Sequence, residues 1–180
     1  IHTFHGHIFH SYFGKVKTSI YKSIERRLAA KSDAIVAISE IQKYELSKVH
    51  RIADEKKITV VPLGFDLIPF RDKRISQRET ERKKYNLEND EVAIAIVGRL
   101  APIKNHLYFL EVIEAVLKQT NKKIRVFIVG DGTEKELIES KLKEIERSCP
   151  GVIEMTSWIE DIGTFNSAMD IICLTSKNEG

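Results

Sequence analysis

Two cations and a glycine, set close together after an apolar run, are the residues best suited to chemistry in this chain. Gly98-Arg99-Leu100-Ala101-Pro102-Ile103-Lys104-Asn105 follows the run Val92–Val97 and precedes an amphipathic segment. This spacing predicts a strand-to-helix turn. Gly98 lets the backbone approach a ligand closely, Arg99 offers a planar fork of donors, and Lys104 adds a point charge. In open α/β sheets ligands bind outside the carboxyl ends of strands, and helix N-termini favour anions, so the combination suits a diphosphate. If a diphosphate leaves during reaction, charge grows on the departing oxygen. Arg99 and Lys104 would then stabilise the transition state more than the ground state, which is what raises rate. The competing reading is an ordinary loop with two solvated cations.

Other candidates carry less. Gly130-Asp131-Gly132 follows the run 124–129 and reads equally well as a tight turn or as a ligand-facing loop. It lacks the third glycine of a dinucleotide fingerprint. Glu179-Gly180, after Thr175-Ser176, stands past another apolar run, where a carboxylate can accept hydrogen bonds from sugar hydroxyls. His2, His5, His7 and His10 are four of the six histidines. Without a third carboxylate or cysteine ligand they argue weakly for a metal. A histidine facing substrate from a strand end is the better reading. Neither a Walker-type phosphate loop nor a G-x-S-x-G elbow occurs.

These residues need a scaffold, and the hydrophobic pattern supplies one. Strand-like runs are expected at 1–5, 34–38, 58–61, 92–97, 124–129, 152–155 and 171–175. Helices are expected at 15–31, from Ser39 (with Gln42 completing a capping box), at 107–117, from Thr133 with Glu136 to about Arg147, and at 162–168. Alternating β and α units imply an α/β fold with parallel sheets and helices on both faces. Residues 67–84 change character, being charge-rich after Pro69, and mark the best domain boundary. The expected division is therefore 1–66, a linker at 67–84, and 85–180.

With 180 residues, 42% of them hydrophobic, the chain can bury a core. Its net charge of +3 is too mild to argue for nucleic acid. The basic residues cluster, however. Six Lys or Arg lie between Lys15 and Lys31 against Glu25, and Val16, Ile20, Ile24 and Leu28 fall four apart on that helix. The segment suits either a core-facing helix with a solvated outer face, the commoner case, or a helix lying on an anionic membrane surface. Cys149 and Cys173 have neither metal-type spacing nor a disulfide framework. No run approaches a membrane span and no signal peptide is visible, so a cytoplasmic protein is expected. The absence of an initiator Met and the abrupt end make the chain read as an internal fragment.

Five blocks, in order, resemble family 4 of the retaining glycosyltransferases, which share the GT-B architecture of two Rossmann-like domains facing a cleft. They are Thr3-Phe4-His5-Gly6, Asp33 to Ser39, Pro62-Leu63-Gly64-Phe65-Asp66, Gly98-Arg99-Leu100 with Lys104-Asn105, and Trp158 with Asp161 followed by Asp170 to Ser176 and Glu179-Gly180. The last resembles the start of the family's E-x(7)-E signature. Ser157 stands where a Gly often precedes the Trp. The resemblance implies an acceptor-side domain over 1–66 and a donor-side domain over 85–180, both incomplete. It implies that Gly98, Arg99, Lys104, Asn105, Gly130, Glu179 and Gly180 bind the donor. Within that set Arg99 and Lys104 would hold the diphosphate and Glu179 the sugar hydroxyls, with His5 reaching the sugar from across the cleft. It further implies a nucleotide-sugar donor (a UDP-sugar first), a glycan or lipid-linked acceptor, no cofactor and no obligatory metal, as in bacterial polysaccharide and lipopolysaccharide transferases. A peripheral contact with the inner-membrane surface is compatible with it, and the fragment alone is expected to be inactive. The competing readings are a nucleotide-sugar epimerase on the same architecture and a non-catalytic nucleotide-binding or membrane-docking module.

Overall fold

The computed structural model describes residues 1–6 and 14–177, so Glu179, Gly180, His7 and His10 lie outside the described residues. The chain divides into two compact units, Ile1–Phe65 and one beginning at Asp66. Each is α/β with a fully parallel sheet.

The first unit contains β1 (His2–Phe4), α1 (Lys15–Lys31), β2 (Ile35–Ala37), α2 (Glu40–Tyr44) and β3 (Ile58–Val60), with sheet order β1-β2-β3. Ser39 caps α2 as expected, while Gln42 reaches back one residue beyond the cap, to Ile38. Ser39 Oγ accepts from Gln42 N–H at 3.1 Å, and Gln42 Oε1 accepts from Ile38 N–H at 2.9 Å. Phe4, Ala29, Ile35, Ala37, Leu46, Ile52 and Ile58 make the core. The commoner expectation for α1, an apolar stripe turned to the core, is corrected here. Val16 is 75% exposed, Ile20, Ile24 and Leu28 are also exposed, and Ala29 is the buried residue of the helix. Cations hold α1 in place. The Arg26 guanidinium donates to His50 O at 2.8 Å and Arg51 O at 2.9 Å, while Lys57 Nζ donates to Ala29 O at 2.7 Å, near the helix's negative end.

The second unit contains α3 (Ile68–Lys84), β4 (Val92–Val97), α4 (His106–Gln119), β5 (Ile124–Val129), α5 (Lys135–Glu146), β6 (Ile153–Thr156), α6 (Ile162–Ala168) and β7 (Ile171–Cys173). Its strand order is β6-β5-β4-β7. Alternation along β4 sorts the two faces. Ile94 and Ile96 pack with Phe109, Leu110 and Ile113 of α4 and Ile138, Leu142 and Ile145 of α5. Ala93 and Ala95 face the other way, where small side chains leave room for Phe127, Phe165 and Tyr85. Those three rings meet edge to face at centroid distances of 5.4–6.0 Å.

Residues 68–84, within the stretch expected as a linker, form α3 of this unit. Charge holds this helix against α6. Lys73 Nζ reaches Asp161 at 2.6 Å, and Asp161 itself caps α6 by accepting from Thr164 N–H at 3.0 Å. At the other end of α6, Arg74 donates to Met169 O, Arg78 to Ser167 O and Met169 O, and Arg82 to Ala168 O. Cations thus meet the carbonyl end of α6 and a carboxylate caps its N–H end, as the helix dipole favours. Asp170 joins the same network, accepting from Ala93 N–H at 2.8 Å and from Arg78 and Arg82.

These contacts carry a pH signature. Hydrogen bonds from Lys73 and then Thr164 hold the Asp161 carboxyl well below the usual carboxylate range. At Asp170 burial opposes ionisation, but the Ala93 hydrogen bond and the Arg78 and Arg82 charges outweigh it, so its carboxyl also titrates low. A carboxylate titrating lower folded than unfolded adds stability above its ordinary value and loses it as pH falls further. We expect the urea midpoint to drop on acidification below about pH 4, and to drop less in Asp161→Asn. Equal acid sensitivity in the variant would remove Asp161 from this account.

Candidate functional site

The turn at 98–105 is held from two sides. On one side its backbone dovetails with the loop after β5. Gly98 N–H donates to Val129 O at 2.9 Å, Leu100 N–H to Asp131 O at 2.9 Å, and Glu134 N–H to Leu100 O at 3.0 Å. Gly130 and Gly132 make this approach possible. A Cβ on Gly130 would lie 2.0 Å from Gly98 O, and one on Gly132 would lie 2.4 Å from Leu100 O, at φ of +149° and +157°. These glycines therefore seat the neighbouring backbone, and Gly130 is buried. Thr133 does not cap α5 as expected. The helix opens at Lys135 with Glu134 before it and no side-chain cap; backbone carbonyls serve its start instead, Leu100 O accepting from Glu134 N–H and Gly132 O from Lys135 N–H.

On the other side the turn meets the loop after β7. Thr175 Oγ1 lies 3.1 Å from Lys104 O and 3.2 Å from Asn105 O, donating across both, and Lys177 N–H donates to Ile103 O at 2.8 Å. Strand order places this joint functionally. The chain runs outward through β4, β5 and β6, then returns to the far side of β4 as β7. The direction of winding reverses between β4 and β7, and the crevice outside the carboxyl ends of such strands is where ligands bind in this class of sheet.

The candidate side chains stand at that crevice. Arg99 is exposed and Lys104 partly so. The Lys104 stem lies along Gly98, where a Cβ would meet its Cγ, Cδ and Cε at 3.9–4.0 Å. Asn105 adopts the left-handed conformation (φ 56°, ψ 47°), which an Asn tolerates better than most residues. It turns the chain into α4, which opens with no side-chain cap and no acidic residue in its first turn. An uncapped helix start beside two cations is the electrostatic requirement of an anion site. Gly98, Arg99, Lys104, Asn105 and Gly130 are thus brought together at one end of the second sheet. His5 is exposed in the first unit, just past the carboxyl end of β1. Among the described residues, no group of three or more His, Cys, Asp or Glu could hold a metal, and no helix is long and apolar enough to cross a membrane.

Thr175, which clips the turn to β7, is missed from sequence, where a Thr ending an apolar run is its only signal. Gly132 reads from sequence only as part of a tight turn or ligand-facing loop, because its role needs Leu100 beside it.

The glycines also separate two roles by experiment. Gly98→Ala meets only ordinary van der Waals contact, whereas Gly130→Ala must displace a carbonyl. We expect Gly98→Ala to keep wild-type stability and Gly130→Ala to lose roughly 2–4 kcal/mol, from strain and a broken backbone contact. Urea denaturation checks both.

Comparison with known proteins gives the family and the fold. Residues 77–180 match the family described as glycosyl transferases group 1, and residues 1–68 match Glycosyltransferase Family 4. The chain belongs to this glycosyltransferase family. It is 30% identical over 184 residues to the Escherichia coli UDP-Gal:alpha-D-GlcNAc-diphosphoundecaprenol alpha-1,3-galactosyltransferase, covering 100% of the chain and 46% of that relative. It is 31% identical over 109 residues to a D-inositol 3-phosphate glycosyltransferase of Segniliparus rotundus, covering 61% of the chain and 23% of that protein. The chain thus spans less than half the length of these relatives. Among solved structures, a glycosyltransferase from Rickettsia africae superposes with a TM-score of 0.71 at 23% identity, over 97% of this chain and 44% of that one. Anabaena Alr3699/HepE in complex with UDP and glucose superposes with a TM-score of 0.74 at 15% identity, over 98% and 46%. The shared fold is GT-B.

Proposed function

We propose that the protein containing this chain is a retaining glycosyltransferase that moves a sugar from a nucleoside diphosphate, a UDP-sugar first, to a glycan or lipid-linked acceptor. The observation that carries this reading is the two-cation turn at the switch point between β4 and β7, in a chain of this family. In it Arg99 and Lys104 hold the diphosphate, Gly98 admits it, and Asn105 with the start of α4 completes the anion site. Gly130 seats the turn. Glu179 and Gly180 take the donor sugar, and His5 of the first unit serves the same sugar in catalysis. Support for the donor comes from UDP in the HepE structures and from the donor named for the E. coli relative, whose acceptor is also lipid-linked. The first unit would then belong to the acceptor side and the second to the donor side, with the protein working in the cytoplasm.

The decisive assay incubates the full polypeptide with UDP-sugars and polyprenyl-diphosphate-linked acceptors, and determines by NMR the anomeric configuration of any product. Transfer with retained configuration is expected. Inverted product would refute retention, and epimerised donor without transfer would favour an epimerase.

The exposed apolar stripe of α1, flanked by Lys15, Lys17, Lys22, Arg26, Arg27 and Lys31, supports peripheral contact with an anionic membrane face in the same protein. Sedimentation with anionic vesicles, lost at high salt, is the matching readout. Failure to sediment removes the membrane contact and leaves the transferase reading standing.

A further inference from the structure

Successive carbonyls of the 98–105 turn, those of Ile103, Lys104 and Asn105, are held by one short segment after β7. Lys177 N–H donates to Ile103 O at 2.8 Å, and the Thr175 hydroxyl lies 3.1 Å from Lys104 O and 3.2 Å from Asn105 O. A hydroxyl has one hydrogen, so Thr175 shares it between two acceptors. Those carbonyls belong to the peptide units on either side of the Asn105 Cα. One donor set between them therefore opposes rotation about the Asn105 backbone bonds.

That residue is where the turn most needs holding. Asn105 sits at φ 56° and ψ 47°, and α4 follows at once. A left-handed residue other than glycine persists only where its surroundings over-determine it. The helix contributes little here: Asn105 makes no side-chain cap, and the bond from Phe109 N–H to Asn105 O is long, at 3.3 Å. The glycine seat grips the opposite end of the turn, at Gly98 and Leu100. Control of the Lys104 end falls to the clip from 175–177.

We propose that Thr175 is a positioning residue for sugar transfer: by pinning the peptide units around Asn105 it fixes where Lys104 presents its ammonium to the leaving diphosphate. This rests on the donor reading above. The demand is sharper for reaction than for binding. A bound diphosphate can shift to meet a displaced cation. Charge growing on one departing oxygen needs the cation at that oxygen, and a misplacement of about 1 Å can cost about 10²-fold. Thr175 touches neither reactant in this role, and its effect passes through Lys104.

Steady-state kinetics of the full polypeptide, with the UDP-sugar that the wild type transfers, tests this in a double-mutant cycle. Thr175→Val keeps the shape and removes the donor. We expect it to lower kcat roughly tenfold, with KM changed less than about twofold. Thr175→Ser should recover most of the rate. In a Lys104→Ala background the Val substitution should cost less than about twofold, because the group it positions is gone. If Thr175→Val does not fold, Lys177→Pro, which deletes the N–H serving Ile103 O, takes its place in the cycle. Wild-type kcat in the variant with only a lowered urea midpoint, or equal losses in both backgrounds, overturns the positioning role while the donor reading stands. Absence of transfer by the wild type overturns both.

Discussion

On the proposed diphosphate site, Arg99→Ala and Lys104→Ala are each expected to lower transfer by the full polypeptide roughly 10²–10³-fold in kcat/KM, because each would remove a charge-assisted contact worth about 2.7–4 kcal/mol at the leaving group. The expected split between constants is informative. A cation that binds ground and transition states equally raises KM alone on removal, whereas one that meets growing charge on the departing oxygen lowers kcat. We expect most of the loss in kcat for both residues. The residues are not interchangeable with other cations. Arg99→Lys keeps the charge but loses the fork, and should recover only part of the rate. The Lys104 stem passes beside Gly98, within ordinary contact distance of where a Cβ would stand. Steady-state kinetics over a donor titration checks all three variants. Wild-type kcat/KM in both alanine variants would end the assignment of this turn to the diphosphate.

The largest expected loss of stability lies elsewhere, at Arg82. Its guanidinium is nearly buried, with the residue 7% exposed, and it donates to four oxygens: Ala168 O at 3.2 Å, Asp170 Oδ2 at 3.1 Å, Glu88 O at 2.5 Å and Glu91 O at 2.8 Å. Truncation to Ala removes this donor from Ala168 O and Glu91 O, while Glu88 O keeps the Glu91 N–H, and it weakens the hold on Asp170, which also accepts from Ala93 N–H in β4. Removing one partner from a buried charged network costs about 3–5 kcal/mol. Arg82→Lys should rescue little, since an ammonium cannot reach oxygens spread across a planar fork. Chemical denaturation of the wild type and both variants measures this. A loss under 1 kcal/mol for Arg82→Ala would show that water satisfies these groups once the side chain is gone.

The same helix shows what a hydrophobic pattern can and cannot disclose. Val92–Val97, Ile124–Val129 and Ile162–Ala168 fall at the expected positions. The two strands are covered on both faces and so read as continuous apolar runs. Residues 68–84 carry few large apolar residues because arginines and Lys73 bind α3 to α6 and the residues after it, through carbonyls and the Asp161 and Asp170 carboxylates more than 80 residues away. Nothing local announces such a helix. At α5 the failure is similar. Thr133 and Glu136 have the spacing of a cap, but the helix starts two residues later and backbone carbonyls, of Leu100 and Gly132, meet the N–H groups at its start.

The candidate site divides along the same line. A glycine and two cations after a strand were legible because strand, turn and helix lie consecutively in the chain. The contribution of 175–177 depends on β7 lying beside β4, a choice of side that alternation along the chain does not encode. The need for Gly130 and Gly132 depends on a carbonyl about thirty residues earlier.

That glycine seat also bears on how such a protein can diversify over evolution. The backbone of the turn presses on two positions where no side chain fits, so its contour is inherited nearly intact or lost with the fold. Variation in what the site accepts must then arise in outward side chains, or in neighbouring loops, rather than in the path of the chain. The turn resembles a fixed socket with exchangeable fittings. Descendants that share it can differ widely in the side chains they present while keeping the same backbone contour.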